Sequence, residues 1–414
     1  MNVPKLRFKE FTDEWQKIPL NLFTNIYGGY AFKSENLLNY KSKYQVIKMG
    51  NVNNNTLNLE KNPSYLNTIS QKELPYLLEK NDIILTLTGT FGKKDFGYSY
   101  QIKNETNLLL NQRLAVFKIT NSNYSANFLK YILLNNTFLN KFFRFSVGGT
   151  GNQANVSIQD IKSFKIPFPK LEEQEKIANF LTTVDKKITN LENIITSLEN
   201  QKKGLLQQIF SQKLRFKDKN GNNYPNWEKE KLGDIAVLIT KGTTPTNFND
   251  GNINFIKVES IINSKINLSK CMSISENTHF SILSRSILKE NDILFAIAGS
   301  LGISCIVNKE ILPANTNQAL AIIRLSNNVN INYIFWTLNS NIMKKYIKIS
   351  HSIGAQPNLN LKQLNDFILP YPCLEEQTKI ADFLSAFDRK LDNQKAQLEH
   401  WKQIKKGLLQ QMFV

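Results

Sequence analysis

LEEQEKIANFLTTVDKK at residues 171–187 and LEEQTKIADFLSAFDRK at residues 374–390 are two copies of one pattern, displaced by 203 positions. KGLLQQIF at residues 203–210 returns as KGLLQQMF at residues 406–413 with the same displacement. Between these markers the apolar residues recur at steps of four and three. The first series is Ile177, Leu181, Val184, Ile188, Leu191, Ile195, Leu198, Leu205 and Ile209, interrupted only at Lys202. The second is Ile380, Leu384, Phe387, Leu391, Leu398, Trp401, Leu408 and Met412, with Gln394 and Lys405 off-pattern. Such spacing over about five heptads predicts a coiled-coil seam, and 40 residues at 1.5 Å each give a rod of about 60 Å. Glu172, Glu173 and Glu175 at the start and Lys202 and Lys203 near the end complement the helix dipole. Lys202 and Lys405 break the two seams at equivalent positions, which suits either register-setting or snorkelling at the ends. Gly204 and Gly407 each cost about 1 kcal/mol in a helix interior, so a second backbone is expected to approach there.

Working outward, the whole chain is a duplication. KLRFK at residues 5–9 recurs at residues 213–217, followed in each copy by a tryptophan, Trp15 and Trp227. KNDIIL at residue 80 matches ENDILF at residue 290, and NQRLAV at residue 111 matches NQALAI at residue 317. The displacements range from 203 to 210, so small insertions fall in the globular parts while the helices keep register. A short connector around Gly221 and Pro225 leaves the second helix no way to bury its seam except by running back along the first. The expected architecture is α/β (α+β): two similar globular domains separated by two long antiparallel helices, with a pseudo-twofold. KLRFK follows the terminal helix motif in one copy but begins the chain in the other. The repeat is therefore circular, and the termini should be neighbours. The expected segments are 1–17 completing the circular repeat, a first domain at 18–170, a helix at 171–212, a linker at 213–228, a second domain at 229–373 and a helix at 374–414. Within the first domain, strands are expected at residues 45–49, 83–87 and 114–119, and a helical stretch at 128–145. Capping signals stand at Ser157 and at Asn360 with Gln363.

Composition narrows the function. The 414 residues carry 52 Lys and Arg against 34 Asp and Glu, a net charge of +18, and only seven of the basic residues are Arg. Residues 1–170 hold a net +11 and residues 213–373 a net +7, whereas residues 171–212 and 374–414 hold −1 and +1. Clustered Lys and Arg on the globular parts, with near-neutral rods, point to a polyanionic partner gripped at two places. A hydrophobic content of 41% excludes a mainly disordered chain. No apolar run nears the roughly 18 residues of a membrane span, and the N-terminus lacks the apolar core of a signal peptide, so the expected location is cytoplasmic without membrane association. Cys271, Cys305 and Cys373 form no CxxC, which argues against a disulfide scaffold or zinc ribbon.

Taken together, these residues resemble the specificity (S) subunit of Type I restriction–modification enzymes over nearly the whole chain. The resemblance rests on the duplication, on IPFP and LPYP before each L-x-E-Q-x-x-I-A-x-F-L helix opening, and on the K-x-G-L-L-Q-Q ending. It implies that each globular half is a target recognition domain reading one half of a split, asymmetric double-stranded DNA target, with the helices setting the spacer. It also implies docking of two modification (methyltransferase) subunits, with restriction (translocase and nuclease) subunits completing the complex. S-adenosylmethionine, ATP and Mg would belong to those partners, leaving this chain a non-catalytic DNA-specificity subunit without cofactor or metal. The alternatives are a stand-alone DNA-modifying enzyme with degenerate motifs and a coiled-coil scaffold that does not bind DNA.

No catalytic constellation emerges from the residues. There is no N/D-P-P-Y/F motif and no Walker loop, and GTFGKK at residues 89–94 has the wrong spacing for a phosphate cradle. Asp82 and Asp292 fit a turn role before buried strands, and His279, His351 and His400 share no metal-ligand spacing. DNA contacts are expected from loops carrying Arg, Lys, Gln, Asn, Thr or Gly. In the first half these are Tyr30, Lys33, Lys48, Asn51, Thr90, Lys93, Lys94, Gln112, Arg113, Gly149, Thr150, Gly151, Asn152 and Gln153. In the second they are Lys241, Thr243, Thr244, Lys257, Ser300, Asn317, Gln318, His351, Ser352 and Gln356. Gln112 and Gln318 are common to both halves, which favours a structural over a base-reading role, since the halves should read different bases.

Overall fold

The computed structural model describes residues 3–53, 55–148, 153–248, 251–350 and 358–414. The chain divides into two compact units, Met1–Glu192 with Gln397–Val414, and Asn193–Ala396. Each unit therefore owns one globular head, the beginning or end of each long helix, and one copy of KLRFK.

The heptad pattern forms two uninterrupted helices, Leu171–Phe210 and Leu374–Gln411. Inside the first unit, Glu192 pairs with Lys402 at 2.9 Å and Asp185 with Lys405 at 2.6 Å. Inside the second, Glu199 pairs with Lys395 at 2.7 Å and Asp388 with Lys202. In both, one partner's number rises as the other's falls, so the helical segments run antiparallel. Lys202 and Lys405, the breaks in the seam, are thus each matched to one acid on the facing helix, and both pairs are largely shielded from solvent. Register-setting is the role these contacts support.

Every seam residue is buried or half-buried. The helix ends do more than face each other. Ile177, Leu181 and Met412 join the core of the first head, while Ile209, Ile380 and Leu384 join that of the second. Gly204 and Gly407 correct an expectation: a Cβ added at either would meet nothing within 4 Å. Among the described residues no backbone approaches them, so within this chain nothing offsets their entropic cost. Gly204→Ala and Gly407→Ala are each expected to raise stability by about 0.5–1 kcal/mol, read as a higher urea midpoint at unchanged m-value.

The heads repeat each other strand by strand. The first has a four-stranded antiparallel sheet in the order Thr24–Gly28, Leu114–Ile119, Ile83–Thr86, Ser99–Gln101. Its counterpart runs Ala236–Lys241, Leu320–Leu325, Ile293–Ala296, Ser304–Ile306. Beside each lies a smaller sheet built on a parallel pair, Tyr44–Ile47 with Leu108–Leu110 and Ile253–Ile256 with Ala314–Thr316. The central strands are buried on both faces, which explains why ILFA and IILT are continuous apolar runs rather than alternating ones.

The helical stretch expected at residues 128–145 is two helices, Ala126–Leu134 and Asn136–Arg144. Asn135 ends the first and caps the second, its Oδ1 accepting the Thr137 N–H at 2.7 Å while its amide donates to the Leu409 carbonyl. The second head has the same break at Ser340, between Ile331–Leu338 and Asn341–Ile349. Asn360 and Gln363 form a reciprocal capping box, and Ser157 caps Ile158–Ser163.

The circular repeat closes as expected. Leu6 N–H donates to the Gln411 carbonyl at 2.8 Å, and in the second copy Leu214 N–H donates to that of Gln208 at 3.1 Å. Arg7 grips Glu173 with Nε and Nη2, both at 2.7 Å, and Arg215 grips Glu376 at 3.2 and 2.7 Å. Both carboxylates sit in the first turn of a long helix and are almost fully buried, Glu173 at 2% and Glu376 at 0% exposure.

Candidate nucleic-acid interface

The residues proposed for DNA contact do not form one site per head; most of those the structure describes sort into three groups. The first group lies where a glycine carries the chain from the large sheet to the small one. In the first head, Gly29 N–H donates to the Leu114 carbonyl at 3.0 Å, Tyr30 N–H to that of Leu110 at 2.9 Å, and Gln112 N–H to that of Tyr30 at 3.0 Å. In the second, Gly242 N–H donates to Leu320 at 3.3 Å and Thr243 N–H to Thr316 at 3.1 Å. The two backbones touch here: a Cβ at Gly29 would lie 2.2 Å from the Asn111 carbonyl oxygen, and one at Gly242 would lie 1.9 Å from that of Thr316. Only glycine permits that approach.

What this crossing displays differs between the heads. In the first, the Tyr30 ring packs against Phe32 at 5.0 Å and Tyr76 at 5.3 Å, with Gln112 and Arg113 exposed beside it. In the second, Thr244 donates its hydroxyl to Gln318, and Arg285 Nη2 donates to Thr243 Oγ1 at 3.1 Å. Arg285 is exposed and escaped the sequence reading, because it lies in a segment outside the repeated blocks; its rarity, as one of seven arginines, was the available signal. Gln112 and Gln318 both face solvent, whereas the Asn317 Oδ1 before the second of them is buried without a hydrogen-bond partner.

A second group gathers at one edge of the first head. Thr88–Thr90 pairs with Gln153–Asn155, itself paired with Val147–Gly148, placing Thr90 opposite Gln153. The turn after Thr90 exposes Phe91, Lys93 and Lys94. The GTFGKK segment is closed by protein rather than open to a phosphate: Asp95 accepts the Thr90 N–H at 2.8 Å and its hydroxyl at 2.7 Å. These bonds hold the Asp95 carboxyl below the usual carboxylate range. Thr90 is therefore a turn-former; Lys93 and Gln153 are exposed beside it, and Lys94, also exposed, has Nζ 5.5 Å from the Phe143 ring. Lys33, Lys241 and Ser300 are exposed at separate places.

The third group is withdrawn from contact. Asn51 is 3% exposed; its Oδ1 accepts the Lys48 N–H at 2.8 Å, and its amide donates to the carbonyls of Asn58 at 2.9 Å and Lys61 at 2.7 Å. All its bonding capacity holds a turn, as the hydroxyl of the equivalent Ser260 does in the second head by bonding Lys257 N–H and the Lys270 carbonyl. Lys48 is half-buried with Nζ 2.5 Å from Ser64 Oγ, and Lys257 lies 4.5 Å from the Phe248 ring. Asn317 points its oxygen inward. Gly149, Thr150, Gly151, Asn152, His351, Ser352 and Gln356 lie outside the described residues.

The residues weighed for chemistry are structural. Asp82 accepts the Glu79 N–H at 2.8 Å and pairs with Lys118 at 3.1 Å; burial pushes its carboxyl up against those two bonds. Asp292 is completely buried, accepts the Lys289 N–H at 2.7 Å and binds Arg324 through two bonds of 2.8 and 2.7 Å. His279 is buried against the Asn315 side chain, which itself donates to the Leu283 carbonyl. Among the described residues, no three His, Cys, Asp or Glu side chains gather as metal ligands, and no helix is long and apolar enough to cross a membrane.

The two heads thus share one backbone crossing and display different side chains at it. The family model for the Type I restriction modification DNA specificity domain matches residues 12–200 and again residues 224–400, and the chain belongs to that family, as a DNA-recognition subunit. The EcoBI specificity subunit of Escherichia coli is 26% identical over 89% of this chain and 78% of its own. The MjaVIII specificity subunit of Methanocaldococcus jannaschii is 26% identical over 82% and 80%. In fold, the chain is similar to the crystallographic S subunit from M. genitalium, with a TM-score of 0.62 at 19% identity over 100% and 99% of the two chains.

Proposed function

We propose that each head reads one half of a split, asymmetric double-stranded DNA target, and that the helices hold the spacer and dock two modification subunits. In this reading the chain itself is non-catalytic and cytoplasmic. Methyl transfer with S-adenosylmethionine, and translocation and cleavage with ATP and Mg, belong to modification and restriction subunits. The observation that carries it is the crossing: two backbone hydrogen bonds repeated in both heads hold a turn beside Tyr30, Gln112 and Arg113 in one and beside Thr243, Thr244, Gln318 and Arg285 in the other. Arg is suited to guanine, Gln to adenine, and Thr to the thymine methyl, so the two sets would select different bases. The net charges of +11 and +7 on the head segments supply phosphate affinity to both.

Mapping N6-methyladenine across the genome of cells with and without this chain tests the reading. The expected result is the disappearance of one split motif whose two halves are unrelated in sequence. An unchanged methylation map, or loss of an unsplit motif, would overturn it.

A further inference from the structure

The first head and the start of its long helix border an open pocket of about 570 Å³ that none of the recognition residues lines. Four lysines line it, Lys80, Lys103, Lys130 and Lys186, against one carboxylate, Asp185, and amide side chains fill much of the rest. Asp185 is already occupied: it accepts Lys405 at 2.6 Å and the Tyr131 hydroxyl at 2.8 Å. The cavity is thus a basic one.

Lys130 is the unusual member. It is only 7% exposed, with Nζ 4.3 Å from the Tyr131 ring, and among the described residues no acceptor lies within hydrogen-bond distance of it. Nζ keeps some solvent contact at the pocket, and an ammonium so largely desolvated without an acceptor is still costly. Accordingly, burial lowers Lys130 to about 8, with Lys103 and Lys405 pushing the same way and Asp185 opposing. The fold does not demand a cation here. Tyr131 bonds Thr182 at 3.1 Å as Trp336 bonds Ser385 at 3.2 Å in the second head, which makes Phe335 the counterpart of Lys130, equally buried at 7%. One half of a duplicated fold thus keeps an apolar residue where the other keeps an unpartnered charge.

We propose that this cavity is a binding site for a phosphate group, with Lys130 as its buried cation and Lys80, Lys103 and Lys186 at its rim. A phosphate offers several acceptor oxygens to several ammoniums at once, whereas a carboxylate offers only two, and lysine serves phosphate as a point charge. The group arrives either on a free phosphorylated molecule of mononucleotide size or on a nucleic-acid backbone. Neither source involves the crossing residues, so failure of this site leaves the recognition reading intact.

Calorimetric titration of the full chain with inorganic phosphate, with dAMP and with a random-sequence duplex is the test. Saturable binding of at least one probe is expected, weakened at least tenfold by Lys130→Phe and several-fold by Lys103→Ala. Lys130→Phe installs the residue of the other half and is expected to keep or raise thermal stability. If the backbone is the source, Lys130→Phe lowers the salt dependence of duplex binding by about one unit of log K per log salt, and inorganic phosphate competes with duplex. If the source is free, dAMP binding falls and duplex binding is unchanged. Absence of saturable binding to all three probes, or a folded Lys130→Phe protein that binds them as the parent does, overturns the site.

Discussion

Arg7→Ala is expected to cost about 3–5 kcal/mol of stability in the first unit, because it strands the Glu173 carboxylate in a 2% exposed position after two bonds of 2.7 Å are removed. Arg215→Ala does the same to Glu376 in the second unit but is expected to cost less. There the indole of Trp227 still donates to Glu376 at 2.8 Å, whereas the Trp15 indole N–H is buried without a partner and offers Glu173 nothing. The order, Arg7→Ala worse than Arg215→Ala, is the discriminating feature. Denaturant unfolding measures it, followed through Trp15 or Trp227 fluorescence in backgrounds where the other three tryptophans are replaced by Phe. Replacing both partners, as in Arg7→Met with Glu173→Leu, should recover most of the loss, since the penalty comes from the unpaired charge. A loss below 1 kcal/mol in both single variants would show that the pairs are not what ties each KLRFK segment to its helix.

The second large effect is functional and one-sided. Gly29→Ala drives a methyl group to 2.2 Å from the Asn111 carbonyl oxygen and 2.4 Å from that of Leu110, and backbone on both sides leaves no flexible side chain to yield. The strain is expected to cost about 1–3 kcal/mol and to displace the turn that presents Gln112 and Arg113. Affinity for the intact target should fall at least tenfold, and the residual methylation should relax at one half of the motif only. Gly242→Ala, 1.9 Å from the Thr316 carbonyl oxygen, should relax the other half. Gly50→Ala, which meets nothing within 4 Å, serves as the neutral comparison. Equal relaxation of both halves by either variant would contradict the assignment of one half-site to each head.

The parts of this architecture governed by local periodicity were legible in the sequence. Heptad spacing, the 203-residue displacement and the Asn-Asp and Asn-Gln signatures need only neighbours along the chain, and the seam, the duplication and the buried strands follow from them. Gly-Leu-Leu in the terminal helix motif misled because a helix glycine reads the same whether a backbone approaches it or nothing does. Asn51 misled for a related reason: an exposed turn asparagine and one satisfied by Asn58 and Lys61 carbonyls are identical in one dimension. Asn135 could have been placed, since N-N-T is a cap signal in the middle of an apolar stretch. Rarity alone marked Arg285; its meeting with Thr243 was not legible, because it depends on a fold-back of 42 residues through a non-repeated segment.

The circular repeat also sets a timetable. The second unit is one continuous stretch, Asn193–Ala396, and its contacts can all form once that stretch has left the ribosome. The first unit is synthesised first, yet its core includes Met412 and Phe413, with Phe413 against Trp15 and Phe128. The head made before its neighbour must therefore wait, incompletely packed, for residues 397–414, and closes across roughly 200 intervening residues. For these two heads, order of birth and order of completion are opposite.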